Sequence, residues 1–340
     1  MLGVGHVARL PGTAAGNPAG IEPLPISYVL PLRRDPAEDG VVEGDGDPDP
    51  DLTAYLRRLR HWVDDVLVVD GSPPEPAARH ARAWGDLARV VPPDRSLADP
   101  PDKVAGVVTG SRLARHDVVV VADDDVRWRR AQLAAALARM ATADLLRPHN
   151  RFVPAPWHAR WDTGRMLCNR AVGGDWPGTL VVRRRHLVDG YGYGVLFENL
   201  DLVRTVRARA GRTAVARDLV VDRRPPAAGW FWRQRVRQAY DETARPARLA
   251  WQLALLPVAL VGGRRAVVAL AAGAVAVAEV GRRRGGTAGF PATAACWAPL
   301  WLAERAVCSW LALAAWLRGG VRYRGRRVRV AARPRGRRRR

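Results

Sequence analysis

Residues 118–125 read VVVVADDD, four valines and an alanine that deliver the chain straight into three consecutive carboxylates, Asp123, Asp124 and Asp125. Acids stacked at the end of a buried strand repel one another, and removal of water sharpens the repulsion. A divalent cation relieves both costs. Hard cations such as Mg²⁺ or Mn²⁺ take carboxylate oxygens and keep positions open for a diphosphate. The plain alternative is an acidic turn that caps the helix predicted by RRAQLAAALARM at 129–140. Thiol chemistry has no comparable signal. Cys168, Cys296 and Cys308 are far apart and form no CxxC pair, so neither a disulfide framework nor a zinc site is encoded, and a reducing compartment is expected.

The elements that would hold such a turn are legible on either side of it. ISYVLPL (26–32), DDVLVVDG (64–71) and HDVVVVAD (116–123) are short β-branched runs bounded by Pro, Gly or Asp. Between them, 51–62, 76–85 and 103–115 place apolar residues at helical spacing. Strands alternating with helices predict a parallel sheet buried on both faces, with ligands at the carboxyl ends of its strands. The three runs end there in Arg33-Arg34-Asp35, Asp70 and Asp123-Asp124-Asp125. The acidic, Gly- and Pro-rich insert 36–50 reads as a solvated loop, and 1–20 as a leader without a signal-peptide stretch.

Past residue 246 the composition changes. The segments 248–263, 266–281 and 290–317 are apolar around their whole circumference and punctuated by arginine clusters. The first two are shorter than the roughly 20 residues of a full span, and Glu304-Arg305 interrupts the third. Tilted, short or re-entrant membrane helices fit better than clean spans, with Trp297, Trp301, Trp310 and Trp316 suited to an interfacial belt; Ala-rich soluble helices are the bland reading. The formal charge is +22, and residues 318–340 hold twelve arginines and no acid. Beside apolar segments, such a tail suits anionic membrane lipids. Nucleic acid is not expected as a partner, because the tail lacks interleaved aromatics and any recognisable module.

In this order the motifs resemble the family 2 glycosyltransferases of the GT-A fold, most closely their membrane-bound, ceramide-glucosyltransferase-like branch. The resemblance covers about 25–245 and rests on YVLPLRRD, VLVVDGSP, VVVADDDV, GGDWPGTLVVRR (173–184), FENLDLVRTVRARAG (197–211), RQRVRQAY (233–240) and GVRYRGRRVRV (320–330). It implies an α/β domain, the GT-A nucleotide-diphospho-sugar transferase fold with a Rossmann-like mixed sheet, followed by C-terminal membrane helices. The implied boundaries are 1–20 for the leader, 21–245 for the GT-A domain, 246–318 for the membrane-associated region and 319–340 for the basic tail.

The resemblance further implies a divalent metal, Mn²⁺ or Mg²⁺, on Asp123 and Asp125, with a nucleotide-diphospho-sugar as donor. Arg33, Asp70, Lys103, Asp123, Asp124, Gln234 and Arg237 would bind that donor. Glu198 or Asp201 would take the acceptor proton. On a helix these two lie three residues apart and share a face, Glu198 being nearer the loop; acids favoured at a helix start are the plain reading of both. Asn199 stands where the family usually has aspartate, and Gln238 where it has tryptophan. The expected activity is inverting transfer to a lipid, lipid-linked or glycan acceptor at the cytoplasmic face of the cytoplasmic membrane. A membrane-tethered nucleotide-sugar-binding or scaffold protein without turnover is the alternative. A sugar nucleotidyltransferase would open on a Gly-rich turn, which VLPLRRD lacks. His158, Trp161 and Asp162, in a loop between the two halves, are candidates for an acceptor channel, with packing the ordinary role for such residues; His149 reads as structural.

Overall fold

The computed structural model describes residues 22–35, 46–98, 102–323 and 326–333. Most of the acidic insert, the leader and residues 334–340 of the tail lie outside the described residues.

The first half alternates β1 (Leu24–Leu32), α1 (Pro50–Leu59), β2 (Val63–Asp70), α2 (Pro74–Trp84), β3 (Arg89–Val91), α3 (Lys103–Leu113) and β4 (Val118–Ala122). The second comprises β5 (Val126–Arg127), α4 (Arg130–Arg139), β6 (Leu145–Phe152), α5 (Trp157–Val172), β7 (Thr179–Arg183), α6 (Glu198–Ala208) and β8 (Thr213–Arg223). Together the strands form one eight-stranded sheet in the order β3-β2-β1-β4-β7-β6-β8-β5. The first four are mutually parallel, β7 runs antiparallel to both β4 and β6, and β5 antiparallel to β8. The sheet is thus mixed, as expected.

Side chains alternate across it. Ile26, Tyr28, Leu30 and Leu32 of β1 join α1, α2 and α4 in one core, while Val29 joins α3 and α6 in the other. A period of two, with both faces apolar, is what a sheet covered on each side requires. Helix starts are set locally. Asp49 accepts from the Leu52 N–H at 3.0 Å ahead of α1, and Asp102 from the Ala105 N–H at 2.8 Å ahead of α3.

Residues 156–171, expected to be a loop, instead form the buried helix α5. Several of its buried residues are polar and bond to other polar groups, Asp162 to Arg165 and Arg235, and Asn169 to Asp175 and Arg248, so its sequence shows no apolar stripe. Two short helices, α7 (Ala228–Arg233) and α8 (Arg235–Tyr240), lead to α9 (Pro246–Arg283) and α10 (Ala298–Leu317). Among the described residues, two helical stretches, 246–283 and 292–317, are long and apolar enough to cross a membrane by length and composition. Gly263, at φ +57°, breaks α9 into two halves. Arg248 reaches Asn169 and Arg170 reaches the Gly281 carbonyl, so both ends of α9 return to the same turn of α5 and the halves run as a hairpin. Close approach is obligatory at one point, since a Cβ on Gly281 would lie 1.9 Å from the Leu167 carbonyl oxygen. Towards the bend the hairpin is bare, with Leu260 74% and Val261 91% exposed. Glu304 and Arg305 of α10 are turned inward, where Glu304 accepts from the Trp161 indole at 3.1 Å and pairs with Arg235.

The chain then comes back. β9 (Val321–Tyr323) and β10 (Arg326–Val328) form an antiparallel hairpin, and the Phe197 N–H donates to the Ala331 carbonyl at 2.7 Å. Over 321–323 and 326–333 the segment read as a basic tail is therefore a wall of the folded domain.

Candidate functional site

The register aligns Leu32 with Asp70 and Val29 with Val121. Residues 33–34, 71 and 123–125 consequently leave the sheet along one edge. The starts of α3 and α6 face the same edge, which puts Lys103 and Glu198 beside the acidic triplet.

Each aspartate has a different set of partners. Asp123 is fixed through its backbone N–H, which donates to the Gly178 carbonyl at 2.8 Å. Its Oδ1 lies 2.6 Å from Lys103 Nζ and its Oδ2 3.4 Å from Arg223 Nη2. Asp124 Oδ2 pairs with Arg34 at 2.7 Å. Asp125 Oδ2 accepts from Arg223 Nε at 2.7 Å, whereas its Oδ1 is buried without a hydrogen-bond partner. Lys103 Nζ also donates to Glu198 Oε1 at 2.7 Å, so one ammonium ties the triplet to a separate carboxylate.

Electrostatics separate these acids. Burial alone would raise the Asp123 carboxyl, but Lys103 and Arg223 hold it below the ordinary range. Asp125 is pushed up to about 6 by burial, with Asp123 and Asp124 adding to the rise and Arg223 opposing it. Burial works against the charge of Lys103, yet Asp123 and Glu198 outweigh it and raise its pKa well above the usual lysine value.

Two adjoining lobes share this cluster. One, of about 930 Å³, runs from Leu32 and Gly71 past Lys103 to the β10 wall at Val328–Val330. The other, of about 540 Å³, runs under α5, α7 and α8 towards Trp301. Arg33, Lys103, Asp123, Asp124, Asp125, Glu198 and Arg237 line both.

The structure thus brings together most of the residues expected from sequence, with three exceptions. Asp70 does not line either lobe. It is buried, with Oδ2 2.7 Å from His80 Nδ1 and Oδ1 accepting from the Ser72 N–H at 2.9 Å. Its contribution to the cleft is to fix the turn that carries Gly71. Asp201 is withdrawn from the cleft as well. It is 2% exposed and held by the Gly192 N–H at 2.8 Å and by Arg333, whose Nη2 lies 2.7 Å away. Of the two acids, only Glu198 lines the lobes. Gln234 does not reach the lobes, but its Oε1 accepts from Arg237 Nε at 2.5 Å and aims that guanidinium. Asn199 donates to the Pro177 carbonyl at 2.9 Å and is structural.

His158 and Asp162 line the smaller lobe, and Trp161 stands behind it. Their proposed loop is a helix, and Asp162 is engaged by Arg165 at 2.9 Å and Arg235 at 3.1 Å. His149 is buried in β6, as a structural reading implies. Arg223, the residue that bridges Asp123 and Asp125, escaped the sequence reading. Its signal was present, since LVVDRR ends an apolar run in two arginines at a strand terminus.

Among the described residues no group of three or more His, Cys, Asp or Glu side chains could enclose a metal ion. The orphaned Asp125 Oδ1 is nevertheless an oxygen that a cation would satisfy, and Lys103 and Arg223 already occupy the acids as cations. Mg²⁺ and Mn²⁺ commonly use one or two carboxylates plus substrate phosphates. The donor set fits an ion of that kind whose coordination a diphosphate completes.

No family model matches the chain. A curated relative, the molybdenum cofactor guanylyltransferase of Pseudomonas fluorescens (strain SBW25), is 30% identical over 136 residues, which are 38% of this chain and 63% of that protein. The chain therefore spans less than two thirds of that relative's length. Glucosyl-3-phosphoglycerate synthase from Mycobacterium tuberculosis, with Mn²⁺, uridine diphosphate and glucosyl-3-phosphoglycerate, is 20% identical at a TM-score of 0.39, covering 62% of this chain and 76% of that one. The same synthase with Mn²⁺, uridine diphosphate and phosphoglyceric acid gives 19%, 0.40, 60% and 72%.

Proposed function

We propose that the cleft binds a nucleoside diphosphate sugar and transfers its glycosyl group, with inversion, to a hydroxyl of a lipid, lipid-linked or glycan acceptor. The observation that carries this reading is the pair of carboxylate stations joined by Lys103. A cation-demanding acid cluster stands on one side, and Glu198, a separate carboxylate at the start of α6, on the other. The first suits a departing diphosphate and the second an incoming hydroxyl.

In this reading Arg33, Lys103 and Arg237 engage the diphosphate, Gln234 positions Arg237, and Asp70 acts through the 71–72 turn. As Lys103 exchanges Glu198 for phosphate oxygens, Glu198 is freed to accept the acceptor's proton. The acceptor oxygen forms a bond to the anomeric carbon while the bond from that carbon to the diphosphate oxygen breaks, its electron pair leaving with the diphosphate. A Mg²⁺ or Mn²⁺ held by Asp125, with Asp123 beside it, would neutralise the charge that grows on the departing group. Arg223 and Arg34 balance the remaining carboxylates. The bare α9 hairpin, exposed Trp251, Trp310 and Trp316, and the basic residues 334–340 support docking on the cytoplasmic face of an anionic membrane.

The test uses washed membranes holding the wild type or Asp125→Asn, supplied with labelled UDP- and GDP-sugars and Mn²⁺ or Mg²⁺. Label entering the organic extract only with metal and with Asp125 is the expected result. No label from any donor, with nucleotide binding intact, would leave a binding or scaffold role. The match to a guanylyltransferase favours nucleotidyl transfer as a second reading, although 31–35 carries no glycine. Pyrophosphate released from a nucleoside triphosphate and a sugar phosphate would establish that reading instead.

A further inference from the structure

The smaller lobe is lined by far more positive charge than the donor chemistry uses. Beyond the groups that engage the triplet, it carries Arg165, Arg233, Arg235, Arg245, Arg248 and Arg305 in addition to Arg237. Fewer carboxylates answer them: Asp241 also lines the lobe near Arg237 and Arg245, and most of the others are shared. Asp162 serves Arg165 and Arg235, Glu304 serves Arg235 and Arg305, and Glu242 lies 2.7 Å from Arg245 and 3.4 Å from Arg248. Asp175 gives Arg165 a second partner at 3.0 Å.

Two further facts suit an anion-binding surface. Arg305 is 2% exposed, and its Nε is buried without a partner. Arg233 stands exposed on the rim and makes no ion pair among the described residues. Guanidinium groups that outnumber the carboxylates in a half-enclosed space favour a ligand that carries the balancing charge. Guanidinium forks match phosphate oxygens in geometry as well as in charge.

We infer that the acceptor is a hydroxyl-bearing phosphate ester, seated with its phosphate among the arginines of the smaller lobe and its hydroxyl towards Glu198. This rests on the glycosyl-transfer reading for the fate of the hydroxyl, but the anion site stands on its own geometry. A dianionic or monoanionic phosphate would draw on Arg233 and Arg248 at the open side. The ester can come from a phospholipid headgroup or from a free sugar or glycerol phosphate, and the two share the chemistry recognised here.

The experiment measures binding without turnover. The full chain in mild detergent is titrated with labelled glycerol 3-phosphate. In parallel it is titrated with neutral vesicles doped either with phosphatidylinositol or with diacylglycerol, at about 0.3 M salt so that surface charge is screened. Nucleotide-sugar binding is followed on the same preparations. The expected result is that one phosphate ester binds, that diacylglycerol vesicles do not, and that Arg233→Gln and Arg248→Gln each weaken the ester at least tenfold with nucleotide binding unchanged. Arg248→Lys, which keeps the charge, restores much of the affinity and guards against misfolding. Binding of glycerol 3-phosphate or of the vesicles names the source. The inference is overturned if no ester binds, if the arginine variants leave binding unchanged, or if UDP displaces the ester and so claims the lobe for the donor. Ester binding that depends on the arginines while no nucleotide binds would end the glycosyl-transfer reading and keep the anion site.

Discussion

Replacing Arg333 by Gln should unlatch the wall that closes the larger lobe. Asp201 is nearly inaccessible and accepts from two backbone N–H groups, those of Gly192 and Arg333, as well as from the Arg333 side chain at 3.1 and 2.7 Å. Removing the guanidinium leaves a buried carboxylate with only the backbone donors. Breaking a fully buried pair costs about 3–5 kcal/mol. The Arg333 side chain is 32% exposed, so water screens one partner, and about 2 kcal/mol is the reasonable size. That energy is local to 326–333, and it multiplies the open population by about 30-fold. Limited trypsin digestion at Arg327 and Arg329 should therefore accelerate by a similar factor when reclosing is faster than cleavage. Asp201→Asn and the double variant complete a thermodynamic cycle, with a coupling of about 2 kcal/mol expected. A coupling below about 0.5 kcal/mol, together with unchanged digestion, would refute the idea that this pair holds the wall.

Three other outcomes are expected. Asp125→Asn should lower turnover by at least about 100-fold and abolish any metal dependence of nucleotide binding while the protein remains folded; near-normal turnover in EDTA would remove the metal role from Asp125. Gly178→Ala places a Cβ 2.7 Å from Asp123 Oδ2, so donor affinity should fall with little change in thermal stability, and retained affinity would show that Asp123 can move at no cost. His149 has a pKa pushed down to about 4, chiefly by burial. Its neutral form is favoured in the fold, so its stability contribution is full above about 6.5 and is lost as pH falls towards 4. Between pH 7.5 and 5 the wild type should lose about 2 kcal/mol more than His149→Gln, and parallel denaturation curves at both pH values would contradict this.

The sheet edge was readable because its code is local. β-branched runs, bounding Gly and Pro, and helical spacing between them are enough to place Arg33, Arg34 and Asp123–Asp125 on one rim, whereas Lys103 and Glu198 were reached only through the family resemblance. Partners supplied from distant sequence were not readable. Arg223 follows Asp125 by 98 residues, and no periodicity announces which of many arginines crosses that gap. Asp201 illustrates the converse. Its spacing from Glu198 is correct for a shared helix face, yet Arg333, 132 residues later, decides that it is structural. α5 was hidden for another reason. Its buried residues include Asp162, Asn169 and Arg170, so burial there is not written in apolar residues, and only the ion pairs with Arg235 and the contact with Gly281 reveal which side faces inward.

The return of the chain after α10 has a bearing on how the protein is made. Val328–Val330, which line the larger lobe, emerge from synthesis only after the α9 hairpin and α10 have been released. The β1–β4 half of the sheet exists earlier, but its enclosure waits for the apolar helices to find their seat on α5. Maturation of the cleft is thereby coupled in time to seating of the hairpin, and a chain whose apolar helices have not yet packed on α5 carries an open, unwalled sheet edge.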